Sequence, residues 1–264
     1  MIPNVLSIAG SDPSGGAGIQ ADIKAISANG AYAMAVITAL TVQNTQGVTG
    51  IHLIPPDFVG RQIESIKADI RVDAVKVGMI ANAQVARTVA SALQGMTGVP
   101  IVLDPVMIAK GGAALLDPDA ITVLRDVLLP LCTVLTPNLP EAAHLLGVAP
   151  ANTRDQMAAQ GVALCALGAQ AVLMKGGHLD GGDSPDCLVT TAGVTWFDAI
   201  RTQTANTHGT GCTLSSALAA QLAKNQSLTQ AVSAAKTYVS GAVSYADALS
   251  VGTGHGPTHH FFNL

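Results

Sequence analysis

Short apolar runs alternate with stretches of helical spacing along nearly the whole chain, and this alternation most constrains the fold. Val5-Leu6-Ser7-Ile8-Ala9, Met34–Val42, Ala74–Val77, Ile101-Val102-Leu103, Val134-Leu135 and Ala171–Met174 read as buried strands. Between them, Ile19–Asn29, Pro56–Asp69, Val85–Leu93, Asp119–Leu129, Glu141–Leu146 and Gln156–Leu167 read as helices. Ile19, Ile23 and Ile26 are expected on one side of the first helix, and Phe58, Ile63 and Ile66 on the inner side of the second. Cys187–Thr190 and Val194–Phe197, joined by Ala192-Gly193, read as a hairpin. A helix after Gly211 and a long one near Leu228–Ala246 complete the set. This order predicts an α/β fold with a central, mostly parallel sheet and helices on both faces. No repeat or Pro/Ser-rich linker divides the 264 residues, so a single domain over 1–264 is expected.

In such sheets ligands bind beyond the carboxyl ends of the strands. Asp12, Gln43, Gly78-Met79, Asp104, Asn138, Lys175 and the turn Gly209–Cys212 all fall at such positions. The turn belongs to Asn206-Thr207-His208-Gly209-Thr210-Gly211-Cys212-Thr213, which precedes a helix of small residues, Ser215–Leu222. Glycines at a helix start let the backbone approach a ligand, and the free N–H groups there attract anions. A thiol at the same place is expected to have a lowered pKa. One turn could therefore hold a transferring phosphoryl group and supply a base, although a glycine-rich turn before an ordinary helix has the same sequence.

The other candidates each carry two readings. The loop Gly10–Gly18 lacks G-x-x-x-x-G-K-[ST] and does not complete G-x-G-x-x-G. Asp12 and Asp22 could present carboxylates to a substrate, while Asp12 also reads as a turn residue bonding its own backbone. Asn138 and Glu141 lie at a helix start, either as a capping box or, with Asp104, as a shell for Mg²⁺. Lys175 ends a strand before two glycines and suits a phosphate contact or a solvated surface. Together these parts suit phosphoryl transfer, which needs positioning and charge neutralisation.

Composition narrows the partners. The chain is 49% hydrophobic and 11% charged, which excludes a disordered chain. Its net charge of -4, without a basic run, recommends neither nucleic acid nor an anionic membrane. The cysteines show no Cys-x-x-Cys pair or metal-ligand spacing, and Cys132 and Cys165 read as buried core thiols. The N-terminus does not read as a signal peptide. The uncharged stretches Ala25–Pro56 and Gln156–Met174 read as helix–strand pairs, and the expected setting is the cytoplasm.

Gly10-Ser11-Asp12-Pro13-Ser14-Gly15-Gly16-Ala17-Gly18-Ile19-Gln20-Ala21-Asp22 resembles the opening signature of the hydroxymethylpyrimidine/phosphomethylpyrimidine kinase family, within the ribokinase superfamily. Thr136–Ala142, Met174–His178, Asn206–Cys212 and Gly254–Pro257 are similar to its later motifs, in the same order. The resemblance implies a ribokinase-like fold, ATP as co-substrate, Mg²⁺, and a homodimer. It implies phosphorylation of 4-amino-5-hydroxymethyl-2-methylpyrimidine and then of its monophosphate, in thiamine biosynthesis. By the same resemblance Gly10, Asp12, Asp22, Gln43 and Met79 would meet the pyrimidine, with Val42 and Val106 as apolar walls. Asp104, Asn138 and Glu141 would form the Mg²⁺/phosphate shell. Lys175 and Thr207 would contact the ATP phosphates. Gly209, Gly211 and Cys212 would form the anion hole and base position. Sugar kinases of the superfamily carry Asp where this chain has Cys212. A pyridoxal/pyridoxine kinase of the same branch, and a non-catalytic binding protein of the same fold, remain as alternatives.

Overall fold

The computed structural model describes residues 1–107 and 118–263. Its strands are β1 (Asn4–Ser11), β2 (Tyr32–Asn44), β3 (Gly47–Leu53), β4 (Ala74–Val77), β5 (Ile101–Leu103), β6 (Val134–Leu135), β7 (Val172–Lys175), β8 (Asp186–Thr190) and β9 (Gly193–Phe197). They form one sheet in the order β3-β2-β1-β4-β5-β6-β7-β8-β9. Strands β2 through β7 of that order run parallel, and β3, β8 and β9 are antiparallel to their neighbours. The parallel strands are apolar without strict alternation because helices bury both their faces.

Helices α1 (Gly18–Ala28), α7 (Thr210–Leu222) and α8 (Leu228–Ser244) cover one face. Helices α2 (Pro56–Asp69), α3 (Ala83–Leu93), α4 (Pro118–Val123), α5 (Leu139–Leu146) and α6 (Arg154–Ala166) cover the other. Successive strand residues divide between the two layers, so Val75 and Val77 join the α2–α6 core while Ala74 joins the α7–α8 core. The chain reverses its direction of build at β1, which pairs with β2 on one side and β4 on the other. That reversal opens a crevice at the carboxyl ends of the strands. Among the described residues, no helix is long and apolar enough to cross a membrane.

Several expectations need correction. Phe58 was expected to face inward but is 50% exposed, and Val59 takes the buried place in α2; Ile23, expected on one side with Ile19 and Ile26, is 38% exposed while those two are buried. Strand β3 was not expected; it is an edge strand, and its Ile51 and Leu53 stay exposed. The helix expected over Asp119–Leu129 is α-helical only to Val123, then continues as a π turn, Leu124–Leu128, and a 3₁₀ turn, Leu129–Leu131. Pro130 has no N–H to extend an α-helical ladder. Cys132 is buried as expected, whereas Cys165 is only partly so.

Candidate active site

Asp12 folds the first loop. Its Oδ1 accepts from the Ser14 N–H at 2.9 Å and the Ser14 hydroxyl at 2.7 Å, and its Oδ2 from the Ala17 N–H at 2.9 Å. His208 Nε2 lies 2.8 Å from the same Oδ2. Burial alone would raise the Asp12 carboxyl, but the hydrogen bonds from His208 and Ser14 outweigh it and hold the group below its ordinary value. Asp12, expected as a substrate contact, is 2% exposed and serves as the organiser of its own turn.

The turn before α7 docks on that loop. Gly209 has φ +77, and a Cβ there would overlap the carbonyl oxygen of Gly16. Only glycine tolerates both the left-handed backbone and this approach. Gly16 in turn lies against the His208 ring, and Gly256 against the Asn206 side chain. The His208 N–H donates to the Gly256 carbonyl at 3.0 Å, so the C-terminal turn braces the same segment. Thr207 receives the Thr210 hydroxyl on its carbonyl at 2.8 Å. Gly209 offers no side chain to cap α7, which keeps the helix terminus open to an anion.

Lys175, Asp104 and Glu141 meet next to Gly211. A Cβ on Gly211 would lie 3.2 Å from Lys175 Nζ and 3.6 Å from Asp104 Oδ2. Lys175 Nζ is 2.8 Å from Asp104 Oδ1 and 3.8 Å from Glu141 Oε2. Burial would lower the Lys175 pKa, but Asp104 and Glu141 more than reverse it, so the ammonium stays charged. Asp104 also faces the hydroxyls of Thr136 at 3.2 Å and Ser215 at 3.3 Å. Its carboxyl is raised by burial and lowered further by Lys175 and Lys76, for a net fall. Asn138 and Glu141 form the capping box of α5: Asn138 N–H donates to Glu141 Oε2, and Glu141 N–H to Asn138 Oδ1, both at 2.8 Å. Burial pushes Glu141 up to about 7, with Lys175 opposing and Asp104 adding to the rise.

Cys212 behaves differently from expectation. The helix terminus was expected to lower its pKa. Instead burial pushes the thiol up to about 11; Lys76 and the Gly18 N–H oppose this, and Asp22 and Asp104 reinforce it. Asp22, expected at the pyrimidine pocket, is fully buried. Its carboxylate accepts from Lys76 Nζ at 2.8 Å, from the Ser7 hydroxyl at 2.6 Å and from the Ser216 hydroxyl at 2.7 Å. It thus supports the crevice from beneath. Lys76 was not singled out in the sequence. A Cβ on Gly78 would lie 2.7 Å from its Nζ, which puts the ammonium directly under the loop after β4.

The remaining candidates line the β1/β2 side. Met79 packs its terminal methyl against Gly10, and the Met79 carbonyl accepts from the Thr38 hydroxyl at 2.6 Å. Gln43 sits between Thr41 and His208, 3.1 and 3.4 Å away. Val42 is 65% exposed and packs against Gly50 of the neighbouring strand. Val106 follows Asp104 at the end of β5, its N–H donating to the Asp104 carbonyl at 2.8 Å. Sequence reasoning missed His208, Thr41 and Ser215 as well as Lys76. Only His208 lay inside a motif already singled out, so only its part was open to discovery there.

The arrangement places an open helix terminus, a fixed ammonium and two carboxylates around one point. Such an arrangement is chemically able to hold an anion such as a phosphoryl group. Comparison with known proteins agrees. The family model for phosphomethylpyrimidine kinase matches residues 12–259. A hydroxymethylpyrimidine/phosphomethylpyrimidine kinase of Salmonella typhimurium is 54% identical over 258 residues, 98% of this chain and 97% of the relative. The ADP complex of Bacillus subtilis pyridoxal kinase has a TM-score of 0.90 at 34% identity, covering 98% of both chains. The phosphomethylpyrimidine kinase of Clostridium difficile has a TM-score of 0.80 at 41% identity, covering 90% of this chain and 97% of its own.

Proposed function

Because the chain belongs to the phosphomethylpyrimidine kinase family, we propose that it transfers the γ-phosphoryl group of ATP to the 5-hydroxymethyl group of 4-amino-5-hydroxymethyl-2-methylpyrimidine. The monophosphate then receives a second phosphoryl group, in thiamine biosynthesis. The observation that carries this reading is Gly211. It has no side chain, opens α7, and lies against Lys175 and Asp104, so an anion can meet the helix N–H groups and the ammonium together.

Lys175 neutralises charge on the transferring group while Asp104 and Glu141 fix its position. Among the described residues no cluster of three His, Cys, Asp or Glu side chains forms a metal cage. Mg²⁺ needs none, since one or two carboxylates with phosphate and water oxygens suffice. Glu141 spends Oε2 on the cap and keeps Oε1 for the cation or its water, whereas Asp104 is taken by Lys175 and Ser215. Mg²⁺ would supply charge neutralisation across the phosphates. Thr207 and Asn138 flank this centre on the nucleotide side. Cys212 contacts the substrate hydroxymethyl group as a neutral thiol and orients it. In a loose transition state the hydroxyl proton leaves late, so an ionised base at rest is not needed. The partner is a second copy of the chain in a homodimer, which sedimentation equilibrium measures.

The fold shared with the Bacillus subtilis pyridoxal kinase favours a second reading, phosphorylation of pyridoxal. Gln43 separates the two, because an amide can both donate to and accept from an aminopyrimidine edge. The site itself is tested by Gly211→Ala. The alanine keeps its N–H, but its Cβ would stand beside Lys175 Nζ and push the phosphoryl group off the helix amides; losing one oxyanion contact typically costs about 10²–10³ in rate, so pyrimidine-dependent ATP turnover should fall by that order with little change in the pyrimidine KM. A kcat within about threefold of wild type, under ~1 kcal/mol of barrier, would place the chemistry elsewhere.

A further inference from the structure

The loop between β7 and β8, residues 176–185, begins directly after Lys175 and owes little of its order to burial. Gly177, His178, Asp180, Gly181, Gly182 and Asp183 are all exposed. A glycine-rich segment loses much entropy when it is fixed. One side chain fixes this one. Arg201 Nη1 donates to the Gly177 carbonyl at 2.8 Å, and Nη2 to the carbonyls of Leu179 at 2.6 Å and Asp183 at 3.0 Å. Arg201 Nε donates to the Gly181 carbonyl at 3.1 Å. Every second carbonyl from Gly177 to Asp183 therefore turns onto one guanidinium. A rigid fork of donors can span such a ring of oxygens, whereas a lysine ammonium is a single point with three.

The ends of the loop are held separately. Asp186 accepts from the Gly176 N–H at 3.0 Å and from Lys236 Nζ at 2.7 Å, and Lys236 also donates to the Ser184 carbonyl at 2.7 Å. Gly176 lies so close to Pro185 that a Cβ would overlap its carbonyl oxygen. The Lys175 N–H donates to the Pro137 carbonyl at 2.8 Å, which fixes the strand end. Removing Arg201 would thus release the middle of the loop and leave Lys175 in place.

In-line transfer sets the attacking hydroxyl and the leaving oxygen on opposite sides of the phosphoryl group. With the pyrimidine on the β1/β2 side, the nucleotide extends from Gly211 the other way, toward β7 and β8. We infer that Arg201 is a positioning residue for ATP, whose fork orders the loop after Lys175 in advance, so that binding does not bear that entropy. The inference rests on the proposed reading of Lys175 as an ATP-phosphate contact. When a loop is competent only part of the time, apparent affinity falls by that fraction. A bound nucleotide then holds the loop itself, so the effect falls on ATP affinity and not on the transfer step.

The test compares wild type, Arg201→Ala, Arg201→Lys and Lys175→Ala. It measures calorimetric affinity for AMP-PCP, a non-hydrolysable ATP analogue, steady-state kinetics, and hydrogen exchange of the loop amides. Arg201→Lys keeps the charge and loses the fork, which separates the clasp from general attraction of an anion. Both Arg201 variants should exchange faster over residues 177–183. Each should bind AMP-PCP about tenfold more weakly and raise the KM for ATP alike, as for a loop competent about a tenth of the time. The kcat and the pyrimidine KM should stay within about threefold of wild type. Wild-type AMP-PCP affinity in either Arg201 variant, with Lys175→Ala weakened, overturns the clasp and leaves the reading of Lys175 standing. Unchanged affinity in Lys175→Ala removes that reading and the inference with it. Equal losses for ATP and pyrimidine, with a lower Tm, would make Arg201 a general structural part and overturn its positioning role. Should Arg201→Ala fail to fold, Arg201→Lys decides alone.

Discussion

At Cys212 two effects compete, and burial outweighs the helix terminus. The terminus favours a thiolate, yet the thiol stands near 11, with Asp22 and Asp104 adding to the penalty. Alkylation of Cys212 in the ligand-free protein should therefore accelerate with pH up to about 11; a plateau already reached at pH 8 would contradict this. As an orienting thiol it should contribute less than the ~10²–10⁴ of a general base. Cys212→Ala should lower kcat by about tenfold, and a loss of ~10⁴ would make it a base after all. Glu141 carries the opposite kind of test. Its pKa rises on folding from an ordinary 4.5 to about 7. Between those values the folded protein holds a proton that the unfolded chain has released. The contribution is thus fully present below 4.5 and is lost as pH rises through 7. Glutamine also serves at this position of a capping box, so Glu141→Gln should keep the α5 cap while removing the titration. Urea unfolding at pH 5 and pH 7.5 checks this: wild type should lose stability relative to the variant at the higher pH. A pH-independent difference would refute it. The same variant should need more Mg²⁺ for half-maximal activity.

Among the elements, α1, β4 and α7 are tied by one buried charge pair. Lys76 and Asp22 are both fully buried, and Ser216 joins them from α7. Removing one partner leaves an uncompensated buried charge, which costs about 3–5 kcal/mol. Lys76→Met should therefore destabilise strongly, and Lys76→Met with Asp22→Leu should recover much of the loss. Equal losses in single and double variants would show that packing, not charge, holds these elements. The turn before α7 makes a second demand. Gly209→Ala forces a left-handed alanine at about 1–3 kcal/mol and pushes the turn off Gly16, so it should lower the Tm and abolish turnover. These ties also explain what could be read in advance. Strands β5 and β6 were legible because burial on both faces makes them continuous apolar runs. Strand β3 was not, because an exposed edge strand needs no such run. Lys76 was hidden among Val75 and Val77, since a paired charge in a buried strand leaves no pattern. Asp22 was placed by motif in the pocket, but the motif does not say that Lys76 would draw it beneath. The Asn138–Glu141 spacing supported a cap and a cation contact alike, and the structure shows the cap in full.

At the scale of the whole molecule, the crevice at the β1/β4 reversal gathers groups from the first loop to the C-terminal turn. The alternation of strands and helices foretold the sheet. It did not foretell which residues meet there, because Asp12 with His208, and Lys175 with Asp104, are paired only by docking of separate loops. The central claim is that this assembly is a kinase for an aminopyrimidine alcohol. The most direct measurement is kcat/KM at matched ATP for 4-amino-5-hydroxymethyl-2-methylpyrimidine, its monophosphate and pyridoxal. Both pyrimidines should be phosphorylated, in succession, and each should exceed pyridoxal by at least about tenfold, or ~1.4 kcal/mol of transition-state binding. Absence of transfer to either pyrimidine, or a preference for pyridoxal, would contradict the account.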